Sequence, residues 1–332
     1  AIWIIGTLTL AIAFASASQD IAIDAYAVEV LQPHEQGVAV GARTAMYRAA
    51  MYLAGGVAIT FAGFWSWPVT FAIIALLYAP MLIVTLFSPR SEVDRAMAPP
   101  SLRAAVWEPF VGFLAKARAL ELLAFVVLYK LADNLAGALV RPFLVQMGYN
   151  DVDVGFGTAT AGIIASLIGT FLGGILTTVV GLGHALWISG ILQVGSNLGY
   201  VLIAEVGVNR PLMYAAMGFE AATSGMGTGA FSVLLLRMTQ KQFSATQYAL
   251  FTSLFALPRI LAGPATGVMV DAMGWLDFFL LTIAIGVPGL LMLQRFAPLG
   301  VREPVLDVLA PIRPRALSGV GLVLRAALGG GV

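Results

Sequence analysis

The sequence predicts an all-α polytopic membrane protein: the second half of one helical bundle followed by a complete six-helix bundle. Three observations predict it. Of 332 residues, 60% are hydrophobic and 11% charged, with a mean hydropathy of +0.92, whereas a soluble domain is about 25% charged. Nine stretches are each apolar over the roughly 20 residues that a bilayer crossing needs. Segments from the first part of the chain also recur near its end.

In order, the expected spans are residues 1–30, 38–63, 68–88, 119–146, 154–178, 184–204, 211–236, 244–271 and 276–294. Connections are short except for 89–118, which carries charge together with Pro99 and Pro100. Within it, Leu102, Val106, Phe110 and Leu114 repeat every fourth residue. That spacing predicts a helix lying in the interface, with Pro109 as a possible break. Residues 295–332 read as a tail, and 317–332 as the start of one more helix. The opening AIWIIGTLTL has neither Met nor a basic leader, so the chain is expected to be a fragment.

Alternating the connections between two sides gathers twelve Arg and Lys residues on one side, among them Arg43, Arg90, Arg103, Lys116, Arg237 and Lys241. The opposite side has Arg141 and Arg210. The first side is therefore expected to face the cytoplasm, so residue 1 starts outside and an odd number of spans precedes it.

The repeat sharpens the architecture. WPVTFAIIALLYAP (67–80) and WLDFFLLTIAIGVP (275–288) share Trp first, Phe four residues on and Pro thirteen on, at an offset of 275 − 67 = 208. Upstream, Arg48 and Arg259 each precede small residues, at an offset of 259 − 48 = 211. Spans two and three thus match spans eight and nine, leaving three spans to precede residue 1. Two six-helix bundles joined by a long cytoplasmic loop is the architecture of the major facilitator superfamily. Residues 1–88 then supply helices 4–6 of the first bundle, 89–118 the loop, and 119–294 the second bundle.

Charges inside spans cost about 2.5–3.5 kcal/mol each on insertion scales. Asp20, Asp24, Arg48, Lys130, Asp133, Glu220 and Arg259 nonetheless lie in predicted helices. Asp20 and Asp24, four apart, share a helix face and have no base beside them in sequence. Crowded like charges out of water make at least one of them prone to bind a proton, as proton coupling requires. Lys130 and Asp133 are either a neutralising pair or part of a site. Arg48 and Arg259 suit bundle locking, lipid headgroups or cargo. Gln193 and Asn197, again four apart, suit interhelical hydrogen bonds or cargo. Glu29 lies on the far face from Asp20, nearer the cytoplasmic water. Gly169/Gly173, Gly225/Gly229 and Gly263/Gly267 each form a small-residue face for close packing, and Pro258 and Pro264 can kink the helix around Arg259.

Other chemistry is excluded or unsupported. There is no cysteine, and the only imidazoles, His34 and His184, read as loop residues, so neither metal nor catalytic residues nor cofactors are expected. A net charge of +1 gives nucleic acid no purchase. No nucleotide-binding P-loop or hydrolase motif is present, which leaves an ion gradient as the energy source.

The segments FASASQDIAIDAYAVEVL, LYKLADN, ILQVGSNLGYVL, GMGTGAF and FSATQYALF, in order over residues 14–251, resemble the AmpG-type muropeptide permeases. The resemblance implies a bacterial inner-membrane member of the major facilitator superfamily. Such a protein imports N-acetylglucosaminyl-anhydro-N-acetylmuramyl peptides on the proton gradient for cell-wall recycling. It makes Asp20 and Asp24 the acidic pair of the fourth helix, and Lys130 and Asp133 the charged pair of the seventh. Coupling is expected from Asp20, Asp24 and Asp133. Cargo contacts are expected from Arg48, Lys130, Gln193, Asn197, Glu220 and Arg259, with Tyr26, Tyr47 and Tyr129 stacking on sugar rings. Glu35-Gln36-Gly37 stands where the family reads Glu-Arg-Gly, which puts a cytoplasmic gating contact in doubt. The partners implied are the muropeptide, the proton and the lipid bilayer, with the protein acting as a monomer. The alternatives are another solute (a sugar, a peptide or an acyl-coenzyme A) or a membrane-embedded acyltransferase using the buried acids.

Overall fold

The computed structural model describes residues 2–89, 101–114 and 118–304. Its elements are helices, with no strand among the described residues. Helix α1 is Ile2–Val30. Helices α2 (Gln36–Tyr52) and α3 (Ala58–Phe64) join through a π turn at Leu53–Val57, and α4 (Trp67–Leu76) and α5 (Tyr78–Phe87) follow. After α6 (Leu102–Leu114) come α7 (Ala119–Gln146), α8 (Asp151–Phe156) and α9 (Gly162–Val179), the last two joined by a π turn at Gly157–Ala161. The chain continues through α10 (Leu182–Ser196), α11 (Leu198–Val206), α12 (Arg210–Met238), α13 (Ser244–Met273) and α14 (Trp275–Phe296).

Seven of the described helices or helix pairs are long and apolar enough to cross a bilayer: 3–30, 67–87, 119–146, 151–179, 182–206, 244–273 and 275–296. Two further runs, 36–64 and 210–238, are as long but more polar. The first carries Arg43 and Arg48, the second Glu220 amid glycine, serine and threonine. Both Trp residues of the repeat open a helix, Trp67 at α4 and Trp275 at α14. The segment expected to lie in the interface is helical over Leu102–Leu114, and Pro109 sits inside α6 without ending it. His184 is not in a loop: it lies in the first turn of α10, where its Nδ1 is 3.0 Å from Val180 O. The expected loop at 90–100 and 115–117, and the tail beyond 304, lie outside the described residues.

Glycine decides where helices meet. Alpha carbons without side chains let backbones close in, which is how helices associate where solvent gives no hydrophobic drive. A Cβ on Gly169 or Gly173 of α9 would run into the backbone oxygen of Ala222 or Met226 of α12, and one on Gly225 or Gly229 of α12 into that of Ser166 or Thr170. The opposite side of α9 receives α2, where a Cβ on Gly174 would stand 2.6 Å from Gly41 Cα. α9 is therefore clamped between α12 and α2. Gly263 and Gly267, at the same spacing, meet nothing within 4 Å, so the expected contact face there is absent among the described residues.

Two apolar clusters fill the α7–α14 bundle. One, near the Val30 end of α1, holds Phe125, Tyr129, Leu186, Phe231 and Phe251. The other holds Phe143, Tyr200, Met213, Phe278 and Phe279. Aromatic stacking ties each together, as in Tyr129 on Phe231 (4.8 Å) and Phe143 against Phe279 (4.8 Å). Along their helices, Lys130, Asp133, Gln193, Asn197, Glu220 and Ser224 fall between the residues of the two clusters. By contrast, Trp3, Phe14, Leu86 and Phe87 of α1 and α5 are each at least 76% exposed, as befits surfaces turned to lipid or to further helices.

Candidate functional site

The polar layer begins with Lys130. Its Nζ is 3.0 Å from Asp133 Oδ2 and 2.9 Å from Ser224 O, while Ser224 Oγ donates to the same Asp133 oxygen at 2.8 Å. The i,i+3 spacing puts Lys130 and Asp133 on one face of α7, and α12 brings Ser224 opposite because its glycines permit close approach. Side chains of the pair are 4% and 9% exposed. Two charges so far from water require such partners, since an unpaired one costs several kcal/mol. Asp133 Oδ1 keeps no hydrogen bond, and Glu220 lies one helical turn before Ser224 on α12. Tyr200 OH also lies 3.4 Å from Glu220 Oε2.

Gln193 and Asn197 are buried beside this cluster. Asn197 Nδ2 donates to Thr282 Oγ1 at 3.2 Å. The Gln193 amide has neither its oxygen nor its nitrogen paired, and lies against Gly227, close to Lys130. Unsatisfied buried amides are uncommon and mark places where a water or a ligand group fits.

A cavity of about 390 Å³ opens on this layer, lined by Arg48 of α2, Ser166 of α9, Tyr200 of α11, Glu220 and Ser224 of α12 and Arg259 of α13. Arg48 and Arg259, predicted at matching places in the repeat, thus face one space from the two parts of the chain.

The acids of α1 lie elsewhere. Asp24 forms an ion pair with Arg43 of α2. Its sequence neighbours offer no base, but helix packing supplies one nineteen residues on (43 − 24). The expectation of two like charges without a base is therefore corrected for Asp24. Asp20 is exposed on the same helix, with no ion pair among the described residues. Tyr129 is buried in the aromatic stack with its hydroxyl on Leu186 O at 2.9 Å, so it is unavailable to sugars. Tyr26 bonds Pro89 O, and Tyr47 is exposed.

At the Val30 end the two parts of the chain are fastened. Arg237 of α12 donates to Gln36 Oε1 (3.2 Å) and Pro33 O (3.3 Å) and is ion-paired with Glu303. Lys241 Nζ donates to Glu29 O at 3.0 Å, and Ser244 Oγ to Glu29 Oε1 at 2.7 Å. Gln36 accepts from Arg237 at the position where the sequence departs from Glu-Arg-Gly, and Glu29 meets α13 rather than open water. Sequence reading missed Ser224, Tyr200 and Arg43. Tyr200 had a signal, since 193, 197 and 200 follow the i, i+4, i+7 pattern of one helix face.

Residues 1–243 match the family model described as Major Facilitator Superfamily. The chain is 40% identical over 288 residues to the anhydromuropeptide permease of Escherichia coli K12, covering 86% of this chain and 58% of that protein. It therefore spans less than two thirds of that relative. It is also 30% identical over 293 residues to putative transporter AmpG 4 of Rickettsia felis, covering 86% of this chain and 71% of that protein.

Proposed function

From a chain that belongs to the major facilitator superfamily, and within it to the AmpG-type permeases, we propose a proton-coupled importer of anhydromuropeptides in the bacterial inner membrane, serving peptidoglycan recycling. It is a multi-pass membrane protein, and the reading counts nine crossings by adding the runs 36–64 and 210–238 to the seven more apolar ones. A polar seam explains why those two are less greasy: they face the seam rather than lipid.

The observation that carries the proposal is the cavity lined by Arg48, Glu220, Ser224 and Arg259 between the two parts of the chain. Charges retained at such depth serve a pathway, because a purely structural bundle avoids their cost. With the arginine-rich side in the cytoplasm, the Val30 end is cytoplasmic. The Arg237 and Glu29 contacts then close that side while the cavity is reached from the other. Import requires those contacts to break once cargo is bound.

Asp20, Asp24 and Asp133 are the coupling acids of this reading. Two of them hold a cation: Asp24 pairs with Arg43, and Asp133 with Lys130. A proton arriving on either carboxylate removes the attraction, which links protonation to helix position. Gln193, Glu220 and Asn197 offer hydrogen bonds to sugar hydroxyls and amides. Each net positive charge moving down 100 mV is worth about 2.3 kcal/mol, equivalent to a roughly 50-fold gradient.

The test is uptake of labelled anhydromuropeptide by cells lacking their own permease and expressing the full-length gene. Accumulation that a protonophore abolishes is the expected result. A well-expressed, membrane-inserted protein that gives no uptake removes the cargo, and uptake indifferent to the protonophore removes the coupling.

A further inference from the structure

Among the described residues, Arg48 and Arg259 contrast with cations that a carboxylate holds. Lys130 is held by Asp133 and Ser224, Arg43 by Asp24, Arg210 by Asp153 at 2.7 Å, and Arg237 by Glu303. Arg48 and Arg259 have no ion pair and no hydrogen bond, though both line the cavity. They stand on different parts of the chain, Arg48 on α2 and Arg259 on α13, and line the same space. Glu220 is the only carboxylate among the described lining residues, and Tyr200 OH lies 3.4 Å from its Oε2. The charged lining is thus two guanidinium groups against one carboxylate, an excess of one positive charge.

We propose that Arg48 and Arg259 form a split anion clamp: one carboxylate of the cargo bridges the two guanidinium groups and draws α2 and α13 together over the cavity. The chemistry follows from the groups present. A guanidinium presents a planar fork of donors that matches a carboxylate in two-point contact. Two unpaired guanidinium groups repel in a space partly shut off from water, and a shared anion turns that repulsion into attraction to a common centre. Because the two donors belong to different parts of the chain, satisfying both is a conformational event as well as a binding one. A cargo that lacks the carboxylate enters the cavity without closing it. Lys130 is left out of the clamp because its donors are already committed to Asp133 and the Ser224 carbonyl.

The clamp rests on the transport reading of the cavity, but its test does not need the cargo to be right. The full-length protein, purified in detergent, is melted with N-acetylmuramic acid, which bears one carboxylate, and with its neutral methyl ester. The acid is expected to raise the melting midpoint saturably by a few degrees, and the ester to leave it unchanged. Arg48→Gln and Arg259→Gln are each expected to abolish the acid's effect. Equal shifts from acid and ester in the wild type overturn the clamp without reference to any variant, as does an acid shift that survives both substitutions. Spin labels at Phe64→Cys and Val268→Cys, in a chain with no native cysteine, are expected to approach each other when the acid is added. An unchanged distance overturns the closure. In cells, Arg48→Gln and Arg259→Gln are expected to lower muropeptide uptake at least about tenfold. Uptake at the wild-type rate in both removes the clamp and leaves the cargo standing. Acid-specific melting shifts without muropeptide uptake keep the clamp and point to a different carboxylate as cargo.

Discussion

Asp24 on α1 and Arg43 on α2 form an ion pair. An acid that looks solitary in sequence therefore has a partner through helix packing. The pair's side chains are 14% and 39% exposed, so water reaches the arginine more readily than the acid.

If Asp24 couples protons, neutralising it should separate transport from accumulation. Asp24→Asn is expected to abolish uphill, protonophore-sensitive uptake while leaving exchange of labelled for unlabelled cargo. Arg43→Gln, which strands the carboxylate, is expected to be more damaging to stability than the double substitution. A melting-based double-mutant cycle should show an interaction of about 0.5–3 kcal/mol. Uphill uptake by Asp24→Asn at the wild-type rate takes the coupling role away from this acid.

Lys130 and Asp133 form the more deeply buried pair, and Ser224 bonds both. Removing one partner leaves an uncompensated charge, so Lys130→Met is expected to cost about 3–5 kcal/mol. Removing both charges, as Lys130→Met with Asp133→Leu, should recover most of that stability and still abolish uptake. Thermal unfolding of the two proteins against wild type checks the first part. A double variant that recovers transport along with stability shows that the pair is structural alone.

What sequence reveals here depends on how local each relationship is. The fourth span, expected at 119–146, is α7 at Ala119–Gln146, because an apolar run bounded by charged connections depends on the bilayer alone. The Lys130–Asp133 pair is legible for the same reason: three residues apart on a helix means adjacent. Asp24 and Arg43 lie on different helices, and no periodicity reports which helices pack together. Glycine spacing shows the same limit. Gly169/Gly173 and Gly263/Gly267 are identical patterns, yet one face meets α12 and the other meets nothing within 4 Å. Gln193 and Asn197 read alike too, but only Asn197 has found a partner, in Thr282.

Arg237 fastens Gln36, Pro33 and Glu303 at one end of the molecule. Replacing it with alanine removes a group that reaches both parts of the chain at once. Arg237→Ala is expected to raise labelling of single cysteines placed in the cavity wall by a membrane-impermeant reagent applied from the cytoplasmic side, and to slow muropeptide accumulation. Glu303→Gln, which spares the Gln36 and Pro33 contacts, should have the smaller effect of the two. Labelling that does not change in Arg237→Ala means that these contacts do not hold the closed side shut.

The glycine pairs provide the cleanest comparison of packing with propensity, because the same substitution should have opposite signs at two positions. In Gly173→Ala the new methyl collides with Met226 O, a backbone atom of α12 that cannot rotate away, so α9 and α12 must separate. Overpacking of this kind costs about 1–3 kcal/mol, and it also disturbs Ser224 two residues earlier on α12, which bonds Lys130 and Asp133. Gly263→Ala meets open space and gains helix propensity of up to about 1 kcal/mol. Melting midpoints are therefore expected to fall for Gly173→Ala and to hold or rise for Gly263→Ala, with transport lost only in the first. A drop at Gly263→Ala as large as that at Gly173→Ala means that a further helix covers that face of α13 in the full-length protein.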